Sequence, residues 1–126
     1  MKKDGFIRNA LILVLLACTA LCVSCSSSQY KNMRSSLPDL SSKADGSYRG
    51  EADFTGTPIK VILEANIQNH GITSINIIKH SCSPIGKKAE KIVDRIIERQ
   101  SLDVDVISGA TVSSNAILKA VENALQ

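Results

Sequence analysis

Ten consecutive residues concentrate the chemistry of this chain: Asp105, Val106, Ile107, Ser108, Gly109, Ala110, Thr111, Val112, Ser113 and Ser114. Four hydroxyls (Ser108, Thr111, Ser113, Ser114) fall within seven residues. Gly109 and Ala110 remove side-chain bulk, so a ligand can approach the backbone, and glycine also permits positive φ. An amphipathic pattern follows within three residues, and a helix that starts there offers unpaired N–H groups and the positive end of its dipole. The segment therefore suits an anion, a phosphate first of all. The same letters also suit a plain helix start. Ser113 or Ser114 would then be an N-cap, Gly109 a turn residue and Asp105 a solvated carboxylate.

The elements that must position this segment follow from periodicity. Tyr48 to Phe54 is a short strand candidate broken by Gly50, and Gly56-Thr57-Pro58 is a turn. From Ile59 to Gln68 the residues Ile59, Val61, Leu63, Ala65 and Ile67 share one side. Lys60, Glu64, Asn66 and Gln68 take the other, which describes a half-buried antiparallel strand. Asn69-His70-Gly71 is a tight hairpin connection, and Ile72 to Lys79 is the returning strand, rich in β-branched residues. After the breaker Ser83-Pro84, residues Ile85, Ala89, Ile92, Val93, Ile96 and Ile97 recur at helical spacing. Leu102 to Ile107 is extended in pattern. Ile117, Ala120, Val121, Ala124 and Leu125 mark a second amphipathic helix. The expected order is β-β-β-α-β-α. This is an α+β domain with two helices on one face of a small, mostly antiparallel sheet.

Composition sets the class. Hydrophobic residues are 44% and aromatics 3% with no Trp, so the core is aliphatic. Beyond residue 25 the chain has 12 basic and 11 acidic side chains, which gives nucleic acid neither a basic stripe nor stacking platforms. Three of the four cysteines (Cys18, Cys22, Cys25) lie in the first 25 residues and only Cys82 in the body, so no disulfide framework is expected there.

The first 25 residues have the pattern of an export leader. Residues 1–8 are positive overall, and residues 10–23 form an apolar run long enough for a signal peptide but short for a bilayer span. A small residue before a cysteine, with serines after it, resembles a bacterial lipoprotein signal. Cys25, at the boundary between apolar and polar sequence, is the expected lipidation site. Cys18 follows the more usual lipobox letters Leu15-Leu16-Ala17, and an uncleaved anchor helix is the remaining alternative. Each places the body on the extracytoplasmic face of the cell membrane. Residues 26–44, with seven serines, have linker composition, and the domain is expected to span 45–126.

The motif Asp105-x-x-Ser108-Gly109-Ala110-Thr111, followed by an Ala-rich amphipathic helix, resembles the signature of the FMN-binding domain family. That family includes the C subunit of sodium-translocating NADH:quinone reductases and the G subunit of Rnf electron-transport complexes. Asp45-Gly46-Ser47-Tyr48-x-Gly50 resembles its opening strand, and Asn69 to Ile75 its hairpin. The resemblance covers residues 45–126. It implies FMN as cofactor, bonded through a phosphoester to Thr111 by a flavin transferase that uses FAD as donor. It implies that Asp105, Ser108, Gly109 and Ala110 belong to the recognition motif, with Ser113 and Ser114 beside it. The role it implies is that of an electron carrier, or a subunit of an oxidoreductase complex, with membrane electron-transfer proteins or cytochromes as partners. The segment His80-Ser81-Cys82-Ser83-Pro84-Ile85-Gly86 matches the family only loosely.

The rivals are a lipoprotein binding module of the same fold without redox chemistry, and a small reductase that holds FMN non-covalently. The second has no GxGxxG fingerprint for a nicotinamide cofactor. His80 and Cys82 are close enough in sequence to approach a ring or a metal, yet one His and one Cys are too few for a zinc site. Lys87, Lys88 and Lys91 are most simply the solvated face of a helix, with docking to an acidic partner as the alternative.

Overall fold

Alternation in the second element and β-branched residues in the third make a strand hairpin, to which the first element adds a strand. In the computed structural model, which describes residues 36–126, β1 is Gly46–Asp53, β2 is Lys60–Gln68 and β3 is Gly71–Ser81. They form an antiparallel meander in the order β1-β2-β3, with Gly46 opposite Ile67 and Lys60 opposite Ser81. Val61, Leu63, Ala65 and Ile67 of the central strand are fully buried on one face, joined by Ile72 and Ile75 of β3. The alternation predicted for Ile59 to Gln68 thus selects the core side, with Ile59 itself half-buried just before the strand.

The hairpin is tighter than the three-residue connection expected. Asn69 and His70 both take positive φ (50° and 62°), the signature of a two-residue turn whose twist matches the strands. Gly71 is already in β3. Two bonds from outside hold the turn: Asn69 N–H donates to Asp45 Oδ1 at 2.9 Å, and His70 Nδ1 lies 3.2 Å from the Leu40 carbonyl. Packed structure begins ahead of β1, since Leu40 is buried against the body.

The region after Pro84 divides into two helices. Gly86–Lys91 is a 3-10 helix, η1, and Ile92–Arg99 is α1. Pro84 has no N–H, and the bonds that start the winding are short-range: Gly86 N–H donates to Ser83 Oγ, and Lys88 N–H to the Ile85 carbonyl. Three residues per turn put Gly86, Ala89 and Ile92 on one inner line, and all three are buried. The tighter winding expels Ile85 from the apolar face on which a period of 3.6 places it, leaving it 59% exposed.

Leu102 to Ile107 joins no strand, so the three strands are followed by helical elements only: η1, α1 and one final helix. Its polar backbone is served by side chains instead. Arg95 Nη1 donates to the Asp105 carbonyl at 2.6 Å, and Ile107 N–H donates to Ser114 Oγ at 3.1 Å. The β3 edge that a fourth strand would use is met at Ile72 by Gln100. Gln100 Oε1 accepts from Ile72 N–H at 2.7 Å, and its Nε2 donates to the Ile72 carbonyl at 2.8 Å. One side-chain amide thus imitates a strand residue at the end of α1. Gln100 adopts left-handed φ (47°) to do so.

The final helix, α2, is Thr111–Leu125 and packs across β1 and β2. Ala116, Ile117, Ala120 and Val121 are fully buried. At Gly50 the helix comes so close that an added Cβ would lie 2.0 Å from the Ala120 carbonyl oxygen and 2.7 Å from Ala124 Cβ. Among the described residues, no helix is long and apolar enough to cross a membrane. The leader, with Cys18 and Cys25, lies outside the described residues.

Two substitutions test this packing. Gly50→Ala must push α2 off the sheet, because backbone cannot yield as a flexible side chain can. Its cost should exceed the roughly 1–3 kcal/mol typical of overpacking, seen as lost cooperativity or a large fall in the urea midpoint. Gln100→Leu leaves Ile72 N–H and C=O without their partner and should cost about 1–3 kcal/mol in the same assay.

Candidate functional site

The motif folds as a turn that delivers a helix start. Ala110 N–H donates to the Ile107 carbonyl at 2.9 Å, closing a four-residue turn. Gly109 is its third residue, with φ +79°, a position that asks for glycine. Ala110 is the N-cap and offers no side-chain cap. Ser114 does not cap either. Its hydroxyl is fully buried, donates back to the Ala110 carbonyl at 2.9 Å and accepts from Ile107 N–H. Ser114 therefore staples the turn to the helix from behind.

The consequence is an open helix end. The N–H groups of Thr111, Val112 and Ser113 have no partner among the described residues, and no acidic side chain occupies the first turn. Orphan amides with an aligned dipole favour an anion at this end. They border a cavity of about 310 Å³ lined by Ile59, Ser83, Gly86, Gly109, Ala110, Thr111, Val112 and Ser113. That volume is at the small end for a ligand cleft. No carboxylate lines it, so nothing in its wall repels a phosphate. The Thr111 hydroxyl is partly exposed and makes no hydrogen bond among the described residues, which leaves it free to react.

Of the seven residues singled out by sequence, Gly109, Ala110, Thr111 and Ser113 meet at the cavity. Ser108 and Asp105 are exposed and outside its lining, and Asp105 is held through its carbonyl by Arg95. Ser114 is behind the wall. Four lining residues escaped the sequence reading: Ile59, Ser83, Gly86 and Val112. Gly86 carried a usable signal, a glycine two residues after a proline at a helix start. A Cβ there would sit 2.7 Å from Ser113 Oγ and 2.9 Å from Cys82 Cβ. Gly86 thus keeps the space beside Ser113 open.

His80 and Cys82 belong to the support of this wall. The His80 side chain is only 2% exposed, and its Nδ1 lies 3.0 Å from Glu90 Oε1, tying the end of β3 to η1. Its Nε2 is buried without a hydrogen-bond partner among the described residues. Burial pushes the Cys82 thiol up, and the Glu90 carboxylate adds to this, so the group stays a thiol at neutral pH. Among the described residues no three His, Cys, Asp or Glu side chains gather as a metal site.

Comparison with known proteins gives the family. The family profile described as the FMN-binding domain matches residues 55–126. An uncharacterized protein of Treponema pallidum (strain Nichols) is 39% identical over 84 residues, which is 65% of this chain and 23% of that protein. The NADH:acrylate oxidoreductase of Vibrio harveyi is 56% identical over 36 residues, 29% of this chain and 4% of that enzyme. The chain therefore spans less than a quarter of either relative's length.

The two neighbouring serines should separate cleanly. Ser114→Ala removes the partner of a buried amide and should lower unfolding free energy by about 1–3 kcal/mol in urea titrations. Ser113→Ala, at a buried residue that lines the cavity without a hydrogen bond among the described residues, leaves no amide unpaired and should cost less than Ser114→Ala in the same titration.

Proposed function

The chain belongs to the FMN-binding domain family, and from that premise we propose that it is an electron-transfer domain that carries FMN bonded through its phosphate to Thr111. One observation supports this above the others: Thr111 presents an unengaged hydroxyl at an uncapped helix N-terminus, on the wall of a cavity free of carboxylates. The residues present fit the group. Three free amides suit phosphate oxygens, Gly109 and Ala110 keep side chains out of the approach, and Ile59 and Val112 supply apolar wall. When bound, FMN supplies the redox chemistry by accepting and releasing one or two electrons.

The chain's own residues supply attachment and position. In the transfer, Thr111 Oγ1 forms a P–O bond to the flavin-side phosphorus of FAD. The pyrophosphate P–O bond breaks, AMP leaves and the hydroxyl proton is released. The positive helix end stabilises the phosphodiester that results, since it keeps one negative charge. Ser114 holds the turn so that Thr111 begins the helix rather than joining the loop. A covalent bond suits a cofactor used outside the cytoplasm, where a dissociated flavin would diffuse away.

The location is part of the same proposal. The charged n-region, the apolar run 10–23 and the serines after Cys25 support export and attachment to the extracytoplasmic face of a membrane, with Cys25 lipidated. A flavin transferase in that compartment would mature the domain, and membrane electron-transfer proteins or cytochromes would exchange electrons with it. The NADH:acrylate oxidoreductase similarity is consistent with service inside a redox system.

The test is the intact mass of the full chain, exported from a host that supplies a flavin transferase. Wild type should gain the mass of FMN less one water. Thr111→Ser should keep the adduct and Thr111→Ala should lose it. The same spectrum shows whether the mature chain begins at a lipidated Cys25. An unmodified, colourless wild-type protein would overturn the proposal.

A further inference from the structure

The Ser83–Lys91 segment carries an uneven share of charge and exposed apolar surface. Lys87, Lys88 and Lys91 are all exposed, and its single carboxylate, Glu90, is engaged by His80. Elsewhere the described residues carry seven basic and ten acidic side chains, so this basic patch lies on an otherwise acidic body. None of the three lysines has an ion-pair partner among the described residues, in contrast to Lys60 with Glu51 and Lys119 with Glu122. Clustering three unpaired ammonium groups costs electrostatic energy and makes a local positive field.

The patch is placed at the cavity. Ser83 and Gly86 line the cavity, and between them Pro84 and Ile85 turn outward, with Ile85 59% exposed. Lys87 and Lys88 follow directly on the first turn of η1, where i and i+3 side chains eclipse and Gly86 and Ala89 take the inner line. Lys87 and Lys88 are therefore left on the outer flanks. A small apolar centre with a charged rim, next to a redox group, is the surface required for a brief electron-transfer encounter. Such interfaces are small, steered by charge and released quickly. An anionic bilayer is less suited, because lipid-binding clusters gather four to eight basic residues and this one has three.

Resting on the FMN assignment above, we propose that Pro84, Ile85, Lys87, Lys88 and Lys91 form the docking face for a redox protein whose own cofactor opens onto an acidic surface. The lysines set the encounter rate and orientation, and Ile85 sits at the centre of the contact. Ser83 and Gly86, which line the cavity and flank Pro84 and Ile85 in the chain, join the docking face to the site.

The probe is an acidic flavodoxin, reduced beforehand, mixed in a stopped-flow instrument with the full chain in its flavin-loaded form and in detergent. Each electron lost by flavodoxin is gained by the chain's flavin, so both absorbance changes report one step. At low salt, Lys87→Glu with Lys88→Glu should slow the second-order rate by about tenfold or more and flatten its dependence on ionic strength. Arg49→Glu with Arg99→Glu, an equal charge change elsewhere, should alter it by less than about twofold. Ile85→Ser should slow it at every salt concentration.

Equal effects of the two charge-reversed pairs would overturn the proposal. So would sedimentation with phosphatidylglycerol but not phosphatidylcholine vesicles that Lys87→Glu with Lys88→Glu abolishes while leaving the flavodoxin rate unchanged, since the lysines would then be serving the lipid. Calorimetric binding to the same flavodoxin separates this docking from the flavin assignment. A colourless chain that still binds through Lys87 and Lys88 would sink the assignment and keep the docking face. A yellow chain indifferent to these lysines would do the reverse.

Discussion

The close seat of the last helix on the sheet is the constraint on which the rest of this structure depends. At Gly50 the backbone of α2 rests against β1 with no room for a Cβ. That approach buries Ile117, Ala120 and Val121 over the apolar face of β1 and β2. With about 25 cal/mol per Å² of apolar surface removed from water, this layer supplies most of what a small aliphatic core can supply. It also fixes where the helix begins. The start of α2 is the chemically interesting point, and it is held by the far, inert part of the same helix.

A second economy concerns the polar groups that the helix start leaves open. Most helices satisfy their first amides with a Ser, Thr, Asn or Asp cap. Here the N-cap position is held by Ala110, which has no hydroxyl, and Ser114, one turn in, bonds the loop behind the helix. Under the proposed function the open amides would seat the FMN phosphate, and the missing cap would then be a binding feature. Burying Ser114 is acceptable because both its donor and its acceptor capacity are used, whereas an unpaired buried hydroxyl would cost more than it returned.

The wall opposite the helix is built by conformations that local preference disfavours. Pro84 and Gly86 stand at the 3-10 start and His80 binds Glu90 to hold it down, while away from the cavity Gln100 takes left-handed φ to bond Ile72 on the β3 edge. Each cost is small and is offset by bonds between elements distant in sequence. The outcome is a cavity whose walls carry no charge, with lysines confined to its outside. This separation lets one short segment serve both the site and its surroundings.

Sequence alone determined the strands, the core side of β2, the final amphipathic helix and the motif from Asp105 to Thr111. These are properties of short-range periodicity and of residue types, which do not need the rest of the chain to be read. Tertiary structure alone decided which of two buried serines lines the cavity and which bonds the loop, because Ser113 and Ser114 differ only by the 100° that separates neighbours on a helix. It decided that Leu102 to Ile107 stays out of the sheet, since side chains of Arg95 and Ser114 take its backbone bonds and Gln100 takes those of Ile72 on the β3 edge. It also brought Ile59, Ser83 and Gly86 to Thr111. Residues so far apart along the chain meet only through the meander of the sheet, and no local pattern encodes that distance.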